Sequence, residues 1–587
     1  MAASTNQFKQ PGSARLSLIA NAENLDIDEC AMNALTLKAA GKSSRGPDSI
    51  GLLPLVALVI SGLLVAPIAA VVASSFATGQ GAWQHLAATV LPEYVASTLW
   101  LILGVAAGVI LLGVSSAWLV ANYRFPGSGI LEWTLVLPLA VPAYVVAYAY
   151  TDFLQFAGPL QSLLRSLLGV GAGQYWFPEI RSLGGAVLVF AVVLYPYVYL
   201  LARAAFLDQS SQLLQAGRLL GCGPYGVFFR VALPMARPAI AAGTALALME
   251  TLADFGAVSY FSVQTFTTGI YRAWLSMGDL TAAAQLSSSL LGLVMLILVF
   301  ERWSRGKARH YDSLARGAGH GIRLRGARAW GASLCCALPP LLGFGLPAAI
   351  LVFRVWGEPG NLFGERFIGL AVNSFTLAGI TAVAAVAMAL LLAYAGRLFP
   401  TRLVRIANRI AGLGYAMPGA VIAVGILVPV ARMDNLLADW LEMQFGIKAG
   451  LIFTGGIVAL VYAYLVRFLA VSLQTVEAGL AKIRPSMEDA ARILGYSPLQ
   501  VLARVHAPIL LPSLLTAGLI VFVDVMKELP ATLVMRPFNF DTLAVQAYHF
   551  ASDERLPQAA AASLVIVAVG LIPVIVLTRA MIRRGKT

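Results

Sequence analysis

Runs of some twenty residues almost free of charge recur along this chain, and they leave few folds open to it. Leu52 to Ala73 and Gly331 to Phe353 are examples. A helix needs about 20 residues to cross the hydrocarbon core of a bilayer, and inside that core every backbone N–H and C=O must find its partner within the protein. Composition agrees: 59% of the residues are hydrophobic and 12% charged, where soluble domains carry about a quarter charged residues. A soluble enzyme is excluded. The four cysteines, Cys30, Cys222, Cys335 and Cys336, have no C-x-x-C spacing, which speaks against a disulfide framework or a structural zinc site.

Twelve such runs stand out, at 52–73, 96–120, 131–152, 184–205, 239–260, 284–302, 331–353, 371–395, 411–431, 450–470, 511–532 and 559–579. The net charge of +13 would suit a nucleic-acid binder, so the positions of the basic residues have to decide, and they follow the topology. With the N-terminus inside, the cytoplasmic segments collect Lys9, Arg15, Lys38, Lys42, Arg45, Arg124, the eight basic residues from Arg302 to Arg328, Arg397, Arg402, Arg405, Arg409 and the tail from Arg579 to Lys586. The opposite segments hold chiefly Arg165, Arg181, Arg272, Arg366, Arg432, Lys448, Arg536 and Arg555. The positive-inside rule then places both termini in the cytoplasm and accounts for the basicity without nucleic acid.

Residues 1–50 are polar and lack the apolar region of a cleavable signal peptide, so a cytoplasmic N-terminal tail is expected there. Gly41-Lys42-Ser43 hints at a phosphate loop, but that motif needs a glycine at position 36, which is Thr36. The segment 304–330 is basic and glycine-rich and reads as a linker between two halves, 51–303 and 331–587.

The halves are related by an internal repeat. Gln215-Ala-Gly-Arg-Leu-Leu-Gly221-Cys-Gly-Pro224 returns 274 residues later as Asp489-Ala-Ala-Arg-Ile-Leu-Gly495-Tyr-Ser-Pro498. The match continues without a gap through Arg230 and Arg504, Pro234 and Pro508, and Pro238 and Pro512. The same offset pairs Phe125-Pro126 with Phe399-Pro400. Each copy follows the fourth span of its half, so the duplication is parallel, about an axis along the membrane normal. The expected fold is all-α: about twelve transmembrane helices in two parallel six-helix repeats. Within loops 207–238 and 471–512, a glycine that permits a left-handed turn and a proline suited to a helix start predict two short helices meeting at an angle. A single copy would read as a connecting loop; two copies favour a docking element used twice.

This repeated pattern resembles the cytoplasmic coupling loop of type I ABC importer permeases, in which E-A-A is followed, after three intervening residues, by Gly and later by Leu-Pro. Its counterparts are Asp489-Ala490-Ala491, Gly495 and Pro508 in the second half and Gln215-Ala216-Gly217, Gly221 and Pro234 in the first. Gln215 and Asp489 stand where the family has Glu, and Gly217 where it has Ala. The stretches 249–274 and 527–555 are similar to those of fused ferric-iron importer permeases, with thiamine and aminoethylphosphonate permeases as near neighbours. The resemblance implies two copies of a separate ABC ATPase subunit that bind ATP and Mg, a periplasmic substrate-binding protein as a further partner, and a place in the inner membrane. The chain itself would then bind no cofactor and catalyse no hydrolysis.

Near the middle of the expected spans, ionisable residues are expected only in the fifth and eleventh: Glu250 and Asp254 in one, Asp524, Lys527 and Glu528 in the other. The 274-residue offset maps Glu250 onto Asp524 and Asp254 onto Glu528. Their i, i+4 spacing predicts two carboxylates on one helix face, and charge at that depth normally faces a bundle interior or a wet cavity. An acidic lining for a hard cation and an interhelical hydrogen-bond network are both open roles. No tight metal site is expected in either case, because a path must release what it admits. The five histidines are scattered, and His506 is expected at the surface of the repeated loop. Pro138, Pro142 and Pro418 are expected to kink the third and ninth spans. An ion-coupled secondary transporter is the remaining class, and the duplicated loop argues against it.

Overall fold

The computed structural model describes residues 52–76, 82–171, 174–209, 217, 219–305, 322–357, 364–448 and 450–584. The expected N-terminal tail, most of the linker, and Gln215 and Ala216 lie outside these. Among the described residues, eleven helices are long and apolar enough to cross a membrane, and a helix pair bent by 94°, Ser128–Ala140 with Ala143–Leu168, supplies a twelfth span. The expected architecture of two six-span repeats is what forms. The bend falls at Pro142, which caps Ala143–Leu154 after a 3-10 turn at Leu137–Ala140. Pro418 caps Gly419–Phe445 in the same way after a turn at Gly414–Ala416.

Helices this apolar on all sides carry little facial information, so burial ranks them instead. In their most apolar stretches, the fourth span, Leu183–Asp208, is 72% buried and the tenth, Val458–Leu480, 61%, against 28% for each of the first two. The fourth and tenth occupy equivalent places in the repeat and form the centre. The first and second spans, Leu52–Ser75 and Leu91–Asn122, turn Leu63, Trp100 and Leu111 outward, as lipid-facing helices do.

The halves are clasped by their leading helices. The first span meets the ninth so closely that a Cβ on Gly425 would clash with the Pro67 carbonyl oxygen, and the Tyr462 hydroxyl of the tenth span donates to the Leu63 carbonyl. Reciprocally, the seventh span, built from Ala327–Pro340 and Leu346–Trp356, meets the third: Tyr150 donates to the Leu342 carbonyl at 2.6 Å. There Arg354 also grips the buried Asp152 with two nitrogens, at 2.5 and 2.6 Å. Where the linker re-enters the described chain, Ile322–Arg323 pairs in parallel with Tyr123–Arg124.

Candidate functional site

The repeated loops fold into matching elbows. In the second, Pro485–Ile493 carries exposed Asp489 and Ala490 and buried Ala491. The helix ends as Tyr496 N–H donates to the Ala491 carbonyl at 3.1 Å around Gly495, whose φ is +84°. In the first, Cys222 N–H donates to Gly217 at 3.1 Å around Gly221, also at φ +84°. This six-to-one hydrogen bond around a left-handed glycine is a helix-terminating motif. The chain then restarts at Pro224–Val227 or Pro498–Val501, widens into a π-turn at Phe228–Ala232 or Leu502–His506, and enters the fifth or eleventh span near Pro234 or Pro508.

At the elbow tips the sequence hid a further regularity. Leu219, Leu220 and Tyr225 are 88%, 85% and 81% exposed, and their counterparts 274 residues on, Ile493, Leu494 and Leu499, are 86%, 75% and 67% exposed. Large apolar side chains presented at the same three positions in two copies form a surface of the kind that partners cover.

The elbows differ in how they are held. His506, expected at the surface, is fully buried, 3.2 Å from Glu488 and edge-on to Tyr394. Glu488 also pairs with Arg397, whose guanidinium donates to the Ile483 carbonyl at 2.7 Å. The residues equivalent to Arg397 and His506 in the first half are Tyr123 and Ala232, so this ionic tie belongs to the second elbow. The expectation failed for His506 because the last turn of the elbow folds back under the eighth span instead of lying free.

Between the halves lies a cavity of about 110 Å³ lined by Tyr144, Tyr197, Glu250 and Asp254 from one half and Tyr415, Arg467, Asp524, Lys527 and Glu528 from the other. All five expected ionisable residues therefore meet in one place. Their geometry departs from the expected helix face. The fifth span, Leu233–Ala253, ends before Asp254, and the eleventh, Ala507–Met526, before Lys527. Asp254 instead accepts N–H groups of Ala257 and Val258 at 2.8 and 3.4 Å, at the start of the short helix Gly256–Tyr260. Glu528 accepts from Ala531 and Thr532 N–H at 2.9 and 3.0 Å and from the Thr532 hydroxyl at 2.6 Å, at the start of Pro530–Met535. A carboxylate that captures the free N–H groups of a new helix stops the old one. The outer member of each pair is thus a capping group, while Glu250 and Asp524 remain on the span ends.

Arg467 was missed. It is 7% exposed and stands between the halves, 3.2 Å from Glu528 and 3.9 Å from Glu250. Lys527 pairs with Asp524 at 3.0 Å. The cavity therefore holds four carboxylates against two cations, with phenol hydroxyls beside them. Among the described residues, no cluster of three or more His, Cys, Asp or Glu is arranged to hold a metal ion.

Two fused halves around a charged central cavity, each presenting an elbow, define a transport permease. The chain belongs to the family of binding-protein-dependent transport system inner membrane components, whose pattern matches residues 109–301 and again 385–586. It is accordingly a multi-pass inner-membrane permease of the ABC-importer type. The Fe(3+)-transport system permease protein FbpB 2 of Haemophilus influenzae is 26% identical over 495 residues, covering 83% of this chain and 90% of that protein. The molybdenum transport system permease protein ModB of Escherichia coli is 32% identical over 197 residues, covering 32% of this chain and 83% of its own length. The sulfate transport system permease protein CysW of Escherichia coli is 30% identical over 195 residues, 32% of this chain and 64% of that protein.

Proposed function

We propose that this permease moves ferric iron, delivered by a periplasmic binding protein, into the cytoplasm. The observation that carries the reading is the cavity between the halves, where Glu250, Asp254, Asp524 and Glu528 outnumber Arg467 and Lys527. Oxygen donors suit a hard trivalent cation, and a net negative lining lowers its entry cost without a closed ligand shell that would trap it. Similarity to an iron permease along most of the chain supports the same cargo.

In this reading both termini are cytoplasmic and each elbow docks one copy of an ABC ATPase subunit, which binds ATP and Mg. The apolar tips Leu219, Leu220, Ile493 and Leu494 fill its surface, Asp489 and Ala490 lie on the helix that presents the second pair, and Gln215 and Ala216 are their counterparts in the sequence of the first. ATP draws the two subunits together, the elbows follow, and the halves rock about the cavity. Arg467 favours a second reading, an oxyanion cargo, because a buried guanidinium matches an anion's paired oxygens. ATPase activity of the reconstituted complex decides between them, assayed with binding proteins loaded with ferric iron, molybdate, phosphonate or thiamine. Stimulation by the iron-loaded protein alone is expected; stimulation by an oxyanion-loaded one instead would overturn the iron assignment.

A further inference from the structure

Immediately after the eighth span, Glu365–Leu398, the chain forms the ten-residue helix Arg402–Ala411. Thr401 caps it by accepting the Val404 N–H at 3.3 Å. Its residues fall into three rows at i, i+3, i+7 spacing, which in a helix are lengthwise stripes. Val404, Ala407 and Ala411 are buried. Leu403 and Ile406 are 63% and 52% exposed, with half-buried Ile410 continuing their row. Arg402, Arg405 and Arg409 form the third row, all exposed, and among the described residues none of them meets a carboxylate.

Depth in the membrane follows from the packing. Asn408 donates to the Leu392 carbonyl of the eighth span at 3.0 Å, so the helix folds back to a level short of that span's end at Leu398. A helix at that level with one apolar row and one arginine row exposed has the pattern of helices that lie along a membrane surface, apolar residues toward the acyl chains and arginines toward the headgroups. Topology alone does not demand this row. The corresponding helix of the first half, Ser128–Thr134, contains no basic residue and occupies the same place in the repeat.

We infer that Arg402–Ala411 is a binding site for the headgroup of an anionic phospholipid, with Arg402, Arg405 and Arg409 contacting the phosphate and Leu403 and Ile406 the acyl chains. The guanidinium forks supply bidentate contacts that a lysine would make only as a point charge. One annular lipid is thereby held in preference to zwitterionic neighbours, on one half of the transporter only. The inference is independent of the cargo.

The test titrates the purified full chain in detergent with phosphatidylglycerol, phosphatidylcholine or inorganic phosphate and reads bound lipid by native mass spectrometry. Phosphatidylglycerol should bind in preference to phosphatidylcholine, and each of Arg402→Gln, Arg405→Gln and Arg409→Gln should weaken it about fivefold. Arg325→Gln, in the basic segment between the halves, should leave the preference intact. An unchanged preference in the triple Gln variant overturns the site. If the triple variant fails to give a monodisperse peak, the single variants read the same quantity. Competition by inorganic phosphate would reassign the row to a free anion. Lost copurification of the ATPase subunit with lipid preference unchanged would reassign it to a protein partner.

Discussion

Gly221 and Gly495 stand 274 residues apart and share a φ of +84°. Any L-residue forced there carries a Cβ penalty of about 1 to 2 kcal/mol, although neither glycine has an atom within 4 Å of where that Cβ would sit. Substitution therefore strains the turn without creating a clash. Gly495→Val should bend the second elbow away from its partner and reduce copurification of the ATPase subunit, while membrane insertion stays normal. Gly495→Asn, which tolerates the left-handed region, should retain most of it. Equal copurification with Val would remove the docking role from this turn.

The apolar tips allow a sharper trial, because they are exposed and contribute nothing to the fold of the isolated chain. Leu220→Asp or Leu494→Asp should weaken docking by at least about tenfold if these side chains are buried anchors at the interface. Thermal stability of the purified permease should not change. A docking constant unaffected by both would show that the partner binds elsewhere.

Arg467 lies between Glu250 and Glu528 and is almost without solvent contact. Removing one member of a buried ion pair leaves the other uncompensated, at a cost of about 3 to 5 kcal/mol. Arg467→Met should therefore lower the melting temperature of the purified chain markedly, and Arg467→Lys should restore part of the loss. A melting temperature unchanged in Arg467→Met would mean that the capping bonds to Glu528 carry that carboxylate unaided.

The cargo path is tested by Glu250→Gln combined with Asp254→Asn. Asn caps a helix about as well as Asp, so the start of Gly256–Tyr260 should survive and only charge is removed. Iron uptake should fall severalfold with assembly and basal ATPase activity intact. Normal uptake would dismiss the electrostatic lining, and loss of folded protein would assign these residues to structure.

The spans, the duplication and the elbow glycines were legible in the sequence because each leaves a one-dimensional signature: a length of apolar chain, a fixed offset, a left-handed turn. Arg467 left none. Hydropathy ends the tenth span at 470, which puts Arg467 at its margin, whereas the helix runs Val458–Leu480 and places that residue near its middle. Asp254 and Glu528 have the sequence pattern of helix residues, because periodicity cannot distinguish a carboxylate continuing a helix from one capping the next. Pro530 was the available signal, since proline belongs at a helix's first turn. The tie of Glu488 to Arg397, with His506 beside it, joins residues far apart in the chain, and the repeat could not announce it because the first half has Leu214, Tyr123 and Ala232 at the three positions.

The reciprocal packing of the first span on the ninth and the seventh on the third changes what the covalent connection between the halves is for. Each half reaches into the other, so the two would stay together as separate polypeptides. A break between residues 306 and 321 should leave a complex that copurifies and transports. Fusion then contributes stoichiometry rather than adhesion: it ensures that every transporter contains one elbow held by the Glu488–Arg397 pair and one whose sequence lacks both groups, and never two of the same kind.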